Sequence, residues 1–126
     1  MSVSKNYQTG LLVLRVGLSG LMLTHGIPKL LKMLEGNFDF PNPLGIGEGL
    51  TFILAVIAEV LCPILIILGL KTRLATIPII ITMGVAAFIV HAADPIGTME
   101  KALLYLVGFI AIALMGGGKY TIKQLF

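Results

Sequence analysis

The residues best suited to chemistry in this sequence are a few ionisable side chains set inside long apolar runs. Glu59 is the clearest case, because it is the only charged residue between Glu48 and Lys71. A charged acid at the centre of a bilayer costs roughly 2.5–3.5 kcal/mol on insertion scales. We therefore expect Glu59 to be protonated, paired with a basic group or facing water.

The first apolar run supplies the basic groups that could meet Glu59. At about 1.5 Å of rise per residue, Glu59 lies about 16 Å above the inner boundary, Arg15 about 8 Å and His25 about 22 Å. Side chains lean toward the amino end of their own helix, which turns His25 toward Glu59 and Arg15 away from it. The preferred pair is therefore His25 with Glu59. Lys29 is a further candidate, although Gly26 and Pro28 can bend the helix before it.

The same helix has two unlike faces. Gly17, Gly20 and Thr24 lie on one side, and small residues of this kind allow close helix packing in lipid. The polar and basic side chains lie on the opposite side: Arg15, Ser19, His25 and Lys29. We expect the small-residue face to pack closely against a neighbour.

Three further candidates lie near the outer ends of the later helices. His91 is within an apolar run at the outer level of His25, and Tyr105 is either an aromatic-belt residue or an inward hydrogen donor. Glu100 opens the fourth helix, on a different face from Tyr105. Two histidines without a third ligand, and without HxxxH or ExxH spacing, do not predict a metal site, and haem is not favoured.

A membrane bundle is needed to hold these side chains at depth. The chain has 126 residues, 57% hydrophobic and 12% charged, and its mean hydropathy is +1.03. Soluble domains contain roughly 45–50% apolar and about 25% charged residues. Because a helix needs about 20 apolar residues to cross a bilayer, the sequence predicts transmembrane helices at residues 9–31, 50–70, 74–93 and 100–117, with a long outer loop at 32–49.

Short connections make consecutive helices antiparallel neighbours, so the predicted fold is an all-α, antiparallel four-transmembrane-helix bundle. One side of the membrane carries five basic residues and the other three, which places both termini in the cytoplasm. The five basic residues are Lys5, Lys71, Arg73, Lys119 and Lys123, and the three are Lys29, Lys32 and Lys101.

Three basic residues are expected to have structural roles near the cytoplasmic surface. Arg15 can snorkel to the cytoplasmic headgroups. Lys71 and Arg73 are expected to anchor the turn between helices 2 and 3.

Several classes of function are not supported by the sequence. The net charge of +3 comes from scattered boundary residues, without the basic clusters and interleaved aromatics of a nucleic-acid interface. A single cysteine, Cys62, cannot form an internal disulfide or a CxxC pair. There is no nucleotide loop, nucleophile elbow or metal triad, so the sequence does not predict an enzyme that works alone, although it leaves open a subunit of an oxidoreductase.

Several short motifs follow one another along the chain: His25-Gly26 with Lys29, Phe40-Pro41 and Gly45, Ala58-Glu59, Leu68-Gly69-Leu70 with Thr72-Arg73, His91, and Leu103-Leu104-Tyr105 after Glu100. In their order and spacing these motifs resemble the DoxX family of small four-helix membrane proteins. The likeness covers nearly the whole chain as one domain, 1–126, but Cys62-Pro63 replaces small residues usual in the family. The resemblance implies a multi-pass protein of the bacterial cytoplasmic (inner) membrane and an association with sulfur, thiol or quinone redox chemistry.

Three functions remain open from the sequence. The first is a redox-associated accessory subunit whose cluster of Glu59, His25, His91 and Tyr105 binds a quinone or relays protons, because histidine and a membrane carboxylate can both exchange protons near neutral pH. The second is a structural or assembly subunit, and the third a small-molecule transporter. Expected partners are the lipid bilayer, membrane or periplasmic proteins, and further copies of the chain.

Overall fold

The computed structural model describes residues 3–90 and 92–122 of the chain, and every regular element within them is helical. The helices are α1 (Val3–Leu34), α2 (Glu48–Leu68), α3 (Thr72–Val90) and α4 (Ile96–Met115). Each is long and apolar enough to cross a membrane. The predicted all-α fold with four membrane-spanning helices is therefore confirmed, whereas the cytoplasmic placement of the termini stays a prediction.

Contacts between distant residues define two ends of the bundle. The Lys119 N–H donates to Gln8 Oε1 at 2.7 Å, and the Ile122 N–H donates to the Leu68 carbonyl at 3.0 Å. We call this end, which holds both described chain ends and the turn at residues 69–71, the termini end. The opposite end holds the connections at residues 35–47 and 92–95, and we call it the loop end.

Glycines with positive φ stop the helices where the sequence changes from apolar to polar. Gly36 (φ 82°) follows α1 and Gly69 (φ 78°) follows α2. After α2 the Leu70 N–H returns to the Leu65 carbonyl at 2.9 Å, a Schellman closure that satisfies one of the last carbonyls. The cap at Gly69 allows a turn of only a few residues to join α2 to α3, which makes these two helices antiparallel neighbours.

Helix α2 contains a π-helical turn at Ile57–Leu61, which ends two residues before Pro63. Proline has no N–H, so the Glu59 carbonyl lacks its usual donor four residues later. A wider turn is a known response to such a gap, and single π turns are frequent at functional sites. Glu59 therefore lies on an irregular turn and not on ideal α-helix.

The core is formed by apolar side chains from all four helices, and many large apolar side chains remain on the outside. Helix α1 packs against α2, and α3 packs most extensively against α4. The outer side chains form the surface expected to contact lipid. The buried cluster comprises Met22, Cys62, Ile66, Ala75, Ile79, Met83, Tyr105, Phe109 and Ile112.

The small-residue face of α1 packs against no other described segment. Apart from the backbone of α1 itself, no described atom lies within 4 Å of a Cβ placed on Gly17 or Gly20, and Thr24 is exposed. The expectation of close packing on this face is wrong for a single copy. The polar face is turned inward instead, because its hydrogen-bonding groups need partners that lipid cannot provide.

Arg15 is fully buried near the termini end, so the expectation that it snorkels to the headgroups is wrong. Its guanidinium makes five hydrogen bonds of 2.7–3.1 Å to backbone carbonyls. The acceptors are Ile66 and Ile67 at the end of α2, and Gly117 and Tyr120 beyond α4. Carbonyls at helix ends have no partner within their own helix. Arg15 therefore joins three segments inside the protein and does not reach the membrane surface.

The long connection at the loop end is held by a cluster of aromatic rings. Phe52 of α2 is fully buried; Phe40 stacks on it at 4.8 Å between ring centroids, and Phe38 meets it edge-on at 5.8 Å. The Lys32 ammonium lies 5.3 Å from the centre of the same ring. Phe52 thus fixes the loop over the end of α2.

Replacing Phe52 by leucine should loosen this loop while leaving the helices intact. Leucine fills much of the space but loses two aromatic pairs, each contributing about 0.5–1.5 kcal/mol beyond buried area. Hydrogen exchange in nanodiscs should show faster exchange of the amides at residues 37–46, with α3 and α4 unchanged. Equal exchange rates in the wild type and the variant would show that the rings do not hold the loop.

Candidate functional site

Glu59 forms an ion pair with Lys29 in the loop-end half of the bundle. Lys29 Nζ lies 2.6 Å from Glu59 Oε1, and the Glu59 side chain is only 3% exposed whereas that of Lys29 is 31% exposed. The preferred pair of His25 with Glu59 is therefore wrong. Lys29 lies one turn beyond His25, but its long stem leans back toward the amino end of α1 and spans the difference in depth.

A very close helix contact places the two partners. A Cβ atom on Gly26 would fall on the backbone carbonyl of Glu59, the carbonyl that Pro63 leaves without its usual donor. Gly26 thus allows α1 to cover this carbonyl. This contact lies about one helical turn before Lys29 on α1. It fixes α1 in the position at which the Lys29 ammonium reaches the Glu59 carboxylate.

His25 lies beside the ion pair, against Tyr105 of α4. The two rings meet edge to face with centroids 5.6 Å apart and planes at 86°, and Tyr105 stacks in turn on Phe109 at 6.3 Å. Tyr105 is 8% exposed. The tyrosine therefore points inward, toward the site, and is not an aromatic-belt residue.

These side chains surround a polar cavity of about 330 Å³. Its polar lining consists of His25, Lys29, Glu59, Thr98, Lys101 and Tyr105, and its apolar lining of Met22, Met83, Ala86 and Ala102. Two ammonium groups and one carboxylate thus face a small space together with an imidazole and a phenol. Such a set can donate hydrogen bonds to carbonyl or anionic oxygens and can exchange protons.

An apolar groove of about 320 Å³ runs from the same ion pair toward the long loop. Its walls are side chains of α2 and α3, such as Leu54 and Ile81, and the loop residues Phe40 and Pro41. Four residues line both spaces: Lys29, Glu59, Met83 and Ala86. A polar chamber and an apolar channel therefore meet at the ion pair, which is the arrangement an amphiphilic ligand requires.

The sequence candidates do not all come together here. The structure brings together Glu59, His25, Lys29 and Tyr105, whereas Glu100 is exposed and does not line the cavity. His91 lies outside the described residues. Among the described residues no three His, Cys, Asp or Glu side chains are grouped as a metal site.

Sequence reasoning missed Thr98 and Lys101 as site residues. Lys101 precedes Tyr105 by four residues and Thr98 precedes it by seven, so all three share one face of α4. This helical spacing was the available signal. It indicates an inward face only once Tyr105 is known to point inward.

Comparison with known proteins decides the family. The DoxX family model matches residues 10–92, which is more than half of the chain. The chain belongs to the DoxX family. The matched part of this DoxX protein includes both members of the ion pair and the Gly26 contact, whereas Tyr105 and Lys101 lie beyond it.

Two relatives of this DoxX protein extend the likeness over most of the chain. One is a Bacillus subtilis (strain 168) protein named "Putative oxidoreductase CatD", 30% identical over 115 residues that cover 90% of this chain and 84% of the relative. The other, from Haemophilus influenzae, is named "Uncharacterized protein" and is 30% identical over 124 residues, covering 90% and 87%. No solved structure matches the chain.

Proposed function

We propose that this chain is a redox-associated accessory subunit of a larger complex in the bacterial cytoplasmic membrane, and that it holds a quinone. The observation that carries the proposal is the junction of a polar cavity and an apolar groove at Lys29 and Glu59. The name of the Bacillus relative supports a redox association. The likeness to two bacterial proteins supports the location.

The side chains present suit a quinone. The ammonium groups of Lys29 and Lys101 and the phenol of Tyr105 are donors for carbonyl oxygens. Met22 and Met83 offer flexible, polarisable contacts to a flat ring. The groove between Leu54 and Ile81 accepts an apolar tail. A lipid-soluble ligand can enter such a groove from the bilayer.

A bound quinone would supply an acceptor of two electrons and two protons. The electrons must come from a redox group on a partner oxidoreductase subunit, which makes the chain an accessory to that partner. Its own residues orient the ligand and hold protons. Lys29 is partly exposed while Glu59 is buried, so the pair joins the surface to the interior of the site.

The ion pair also favours a second function, a structural or assembly subunit without a ligand. Lys29 and Glu59 satisfy each other, and buried pairs can be replaced by apolar residues without loss of stability. In this case the double variant Lys29→Met/Glu59→Met should support the complex as well as the wild type does. The two functions therefore predict different results for the same variant.

The test measures binding of decylubiquinone to the protein in nanodiscs by native mass spectrometry and by thermal stabilisation. We expect Glu59→Gln to weaken binding about tenfold, because the amide loses the charge-assisted hydrogen bond, contributing about 1.5–3 kcal/mol, that holds the Lys29 ammonium at the site. Tyr105→Phe should also weaken it. The matched control is Glu100→Gln, which removes the same charge at the same end but outside the cavity, and should bind as the wild type does.

The double variant separates the two functions. The quinone proposal predicts that Lys29→Met/Glu59→Met reaches wild-type levels in the membrane but does not bind decylubiquinone. A folded double variant that binds the quinone as tightly as the wild type would overturn the proposal. So would a wild-type protein that shows no binding and no stabilisation.

A further inference from the structure

A second cavity lies at the termini end, away from the ion pair. Its volume is about 670 Å³, and it lies between the start of α3 and the end of α4, lined by residues 70–74 and 115–118. None of these residues takes part in the site proposed for a quinone. The lining combines basic, hydroxyl and apolar side chains with a run of glycine backbone.

Thr72 is the most informative residue of this cavity. It is 6% exposed, and its Oγ1 has no hydrogen-bond partner within the described residues. Thr76, one turn later, donates in the ordinary way to the Arg73 carbonyl at 2.6 Å. A buried hydroxyl without a partner costs about 1–3 kcal/mol. The Thr72 hydroxyl therefore remains available to hydrogen-bond a ligand in this cavity.

The glycines opposite place backbone, and no side chain, against this hydroxyl. A Cβ on Gly117 would lie only 2.8 Å from Thr72 Oγ1. A Cβ on Gly116 would lie 3.1 Å from the Arg73 guanidinium. The glycine run thus borders both the hydroxyl and the arginine with polar backbone groups.

The amino terminus of α3 opens at the same place. No side chain caps the helix, and Lys71, which precedes it, has φ 51°. The first N–H groups of a helix lack partners within it and carry partial positive charge, which favours an anion. Lys71 is the one non-glycine residue with positive φ among the described residues. A backbone of this kind persists only where its surroundings maintain it.

The charges at this end have one sign. None of the six acidic residues of the sequence lies within 60–93 or 101–126, whereas Lys71 and Arg73 line the cavity. Arg73 Nε donates to the Ala113 carbonyl at 3.1 Å, which fixes the guanidinium at the edge of the cavity. Leu70, Leu74 and Met115 complete the lining with apolar surface.

We propose that this cavity binds the phosphate group of an anionic membrane phospholipid. The Thr72 hydroxyl and the first N–H groups of α3 hold the phosphate, Lys71 and Arg73 provide the positive charge, and the apolar lining receives the start of the acyl chains. Basic pockets between transmembrane helices commonly bind such headgroups. The lipid would join the turn between α2 and α3 to the segment after α4.

The test uses protein in phosphatidylcholine nanodiscs, with phosphatidylglycerol added in one arm and inorganic phosphate in the other. Native mass spectrometry counts retained lipids, and thermal unfolding gives the Tm. We expect phosphatidylglycerol to raise the Tm and to remain bound. Thr72→Val and Lys71→Asn should each weaken this binding about tenfold, as expected for loss of a charge-assisted contact.

The controls are matched to each change. Asparagine tolerates the left-handed backbone of Lys71, so Lys71→Asn removes charge without adding strain. Lys119→Asn removes the same charge at the same end but outside the cavity, and Thr72→Ser keeps the hydroxyl; both should bind lipid as the wild type does. Phosphatidylglycerol binding that is unchanged in Thr72→Val and Lys71→Asn would overturn the proposal. Equal stabilisation by inorganic phosphate would instead assign the site to a soluble phosphate compound and overturn the lipid assignment.

Discussion

Replacing Arg15 by methionine is expected to cause one of the two largest losses of stability in this protein. The change removes all five hydrogen bonds from the buried guanidinium and leaves carbonyls of Ile66, Ile67, Gly117 and Tyr120 without those donors. Each unsatisfied buried group costs about 1–3 kcal/mol, so the total loss should be at least about 3 kcal/mol. The measurement is thermal unfolding in nanodiscs, with the amount of folded protein in the membrane as a second readout.

Arg15→Lys is the matched variant, because it retains the positive charge but not the planar fork. A lysine cannot donate in several fixed directions at once, so it should recover only part of the lost stability. The segment after α4 should then exchange its amides faster, because two of the acceptors lie there. If Arg15→Met unfolded at the wild-type temperature, the anchoring role of this residue would be refuted.

Replacing Gly26 by alanine is expected to cause the other large loss of stability, at the other half of the α1–α2 contact. The new Cβ would fall on the Glu59 carbonyl, and backbone cannot move aside as a flexible side chain can. Overpacking of this kind typically costs about 1–3 kcal/mol. Moving α1 outward would also separate Lys29 from Glu59, so decylubiquinone binding should fall together with the Tm.

Two other glycines provide controls for this change. Gly20→Ala adds the same methyl group to the same helix where no described atom lies within 4 Å, and it should leave the Tm unchanged or raise it slightly. Gly108→Ala meets only the side chain of Leu18, which can adjust. A Gly26→Ala protein as stable as Gly20→Ala would contradict the close contact between α1 and Glu59.

Arg15 and Gly26 hold α1 against its neighbours in different halves of the bundle. Near the termini end Arg15 joins α1, the end of α2 and the segment after α4 through backbone hydrogen bonds. Toward the loop end the close contact of Gly26 with the Glu59 carbonyl holds α1 against α2, beside the polar cavity and the apolar groove.

Much of the candidate site could be predicted from the sequence, but its pairing could not. The isolation of Glu59 in an apolar run already required a partner, and the polar face of α1 already contained His25 and Lys29. The depths of the residues along ideal helices favoured His25 as the partner of Glu59. Those depths took into account the height of each Cα atom and the direction of its side chain, but not the length of the side chain. Lys29 reaches back over a full turn, and the actual phase of α1 follows from the Gly26 contact.

The sequence by itself determined the four membrane-spanning helices, because helix length and hydropathy are local properties that the bilayer thickness selects. It also determined which residues need partners, since a charge in hydrocarbon is costly wherever it lies. Only the tertiary structure decided which groups these residues pair with. Lys29 with Glu59, Arg15 with carbonyls remote in the sequence, and Tyr105 beside His25 all depend on contacts between helices. Such contacts are fixed by packing of whole helices, which no local pattern of residues contains.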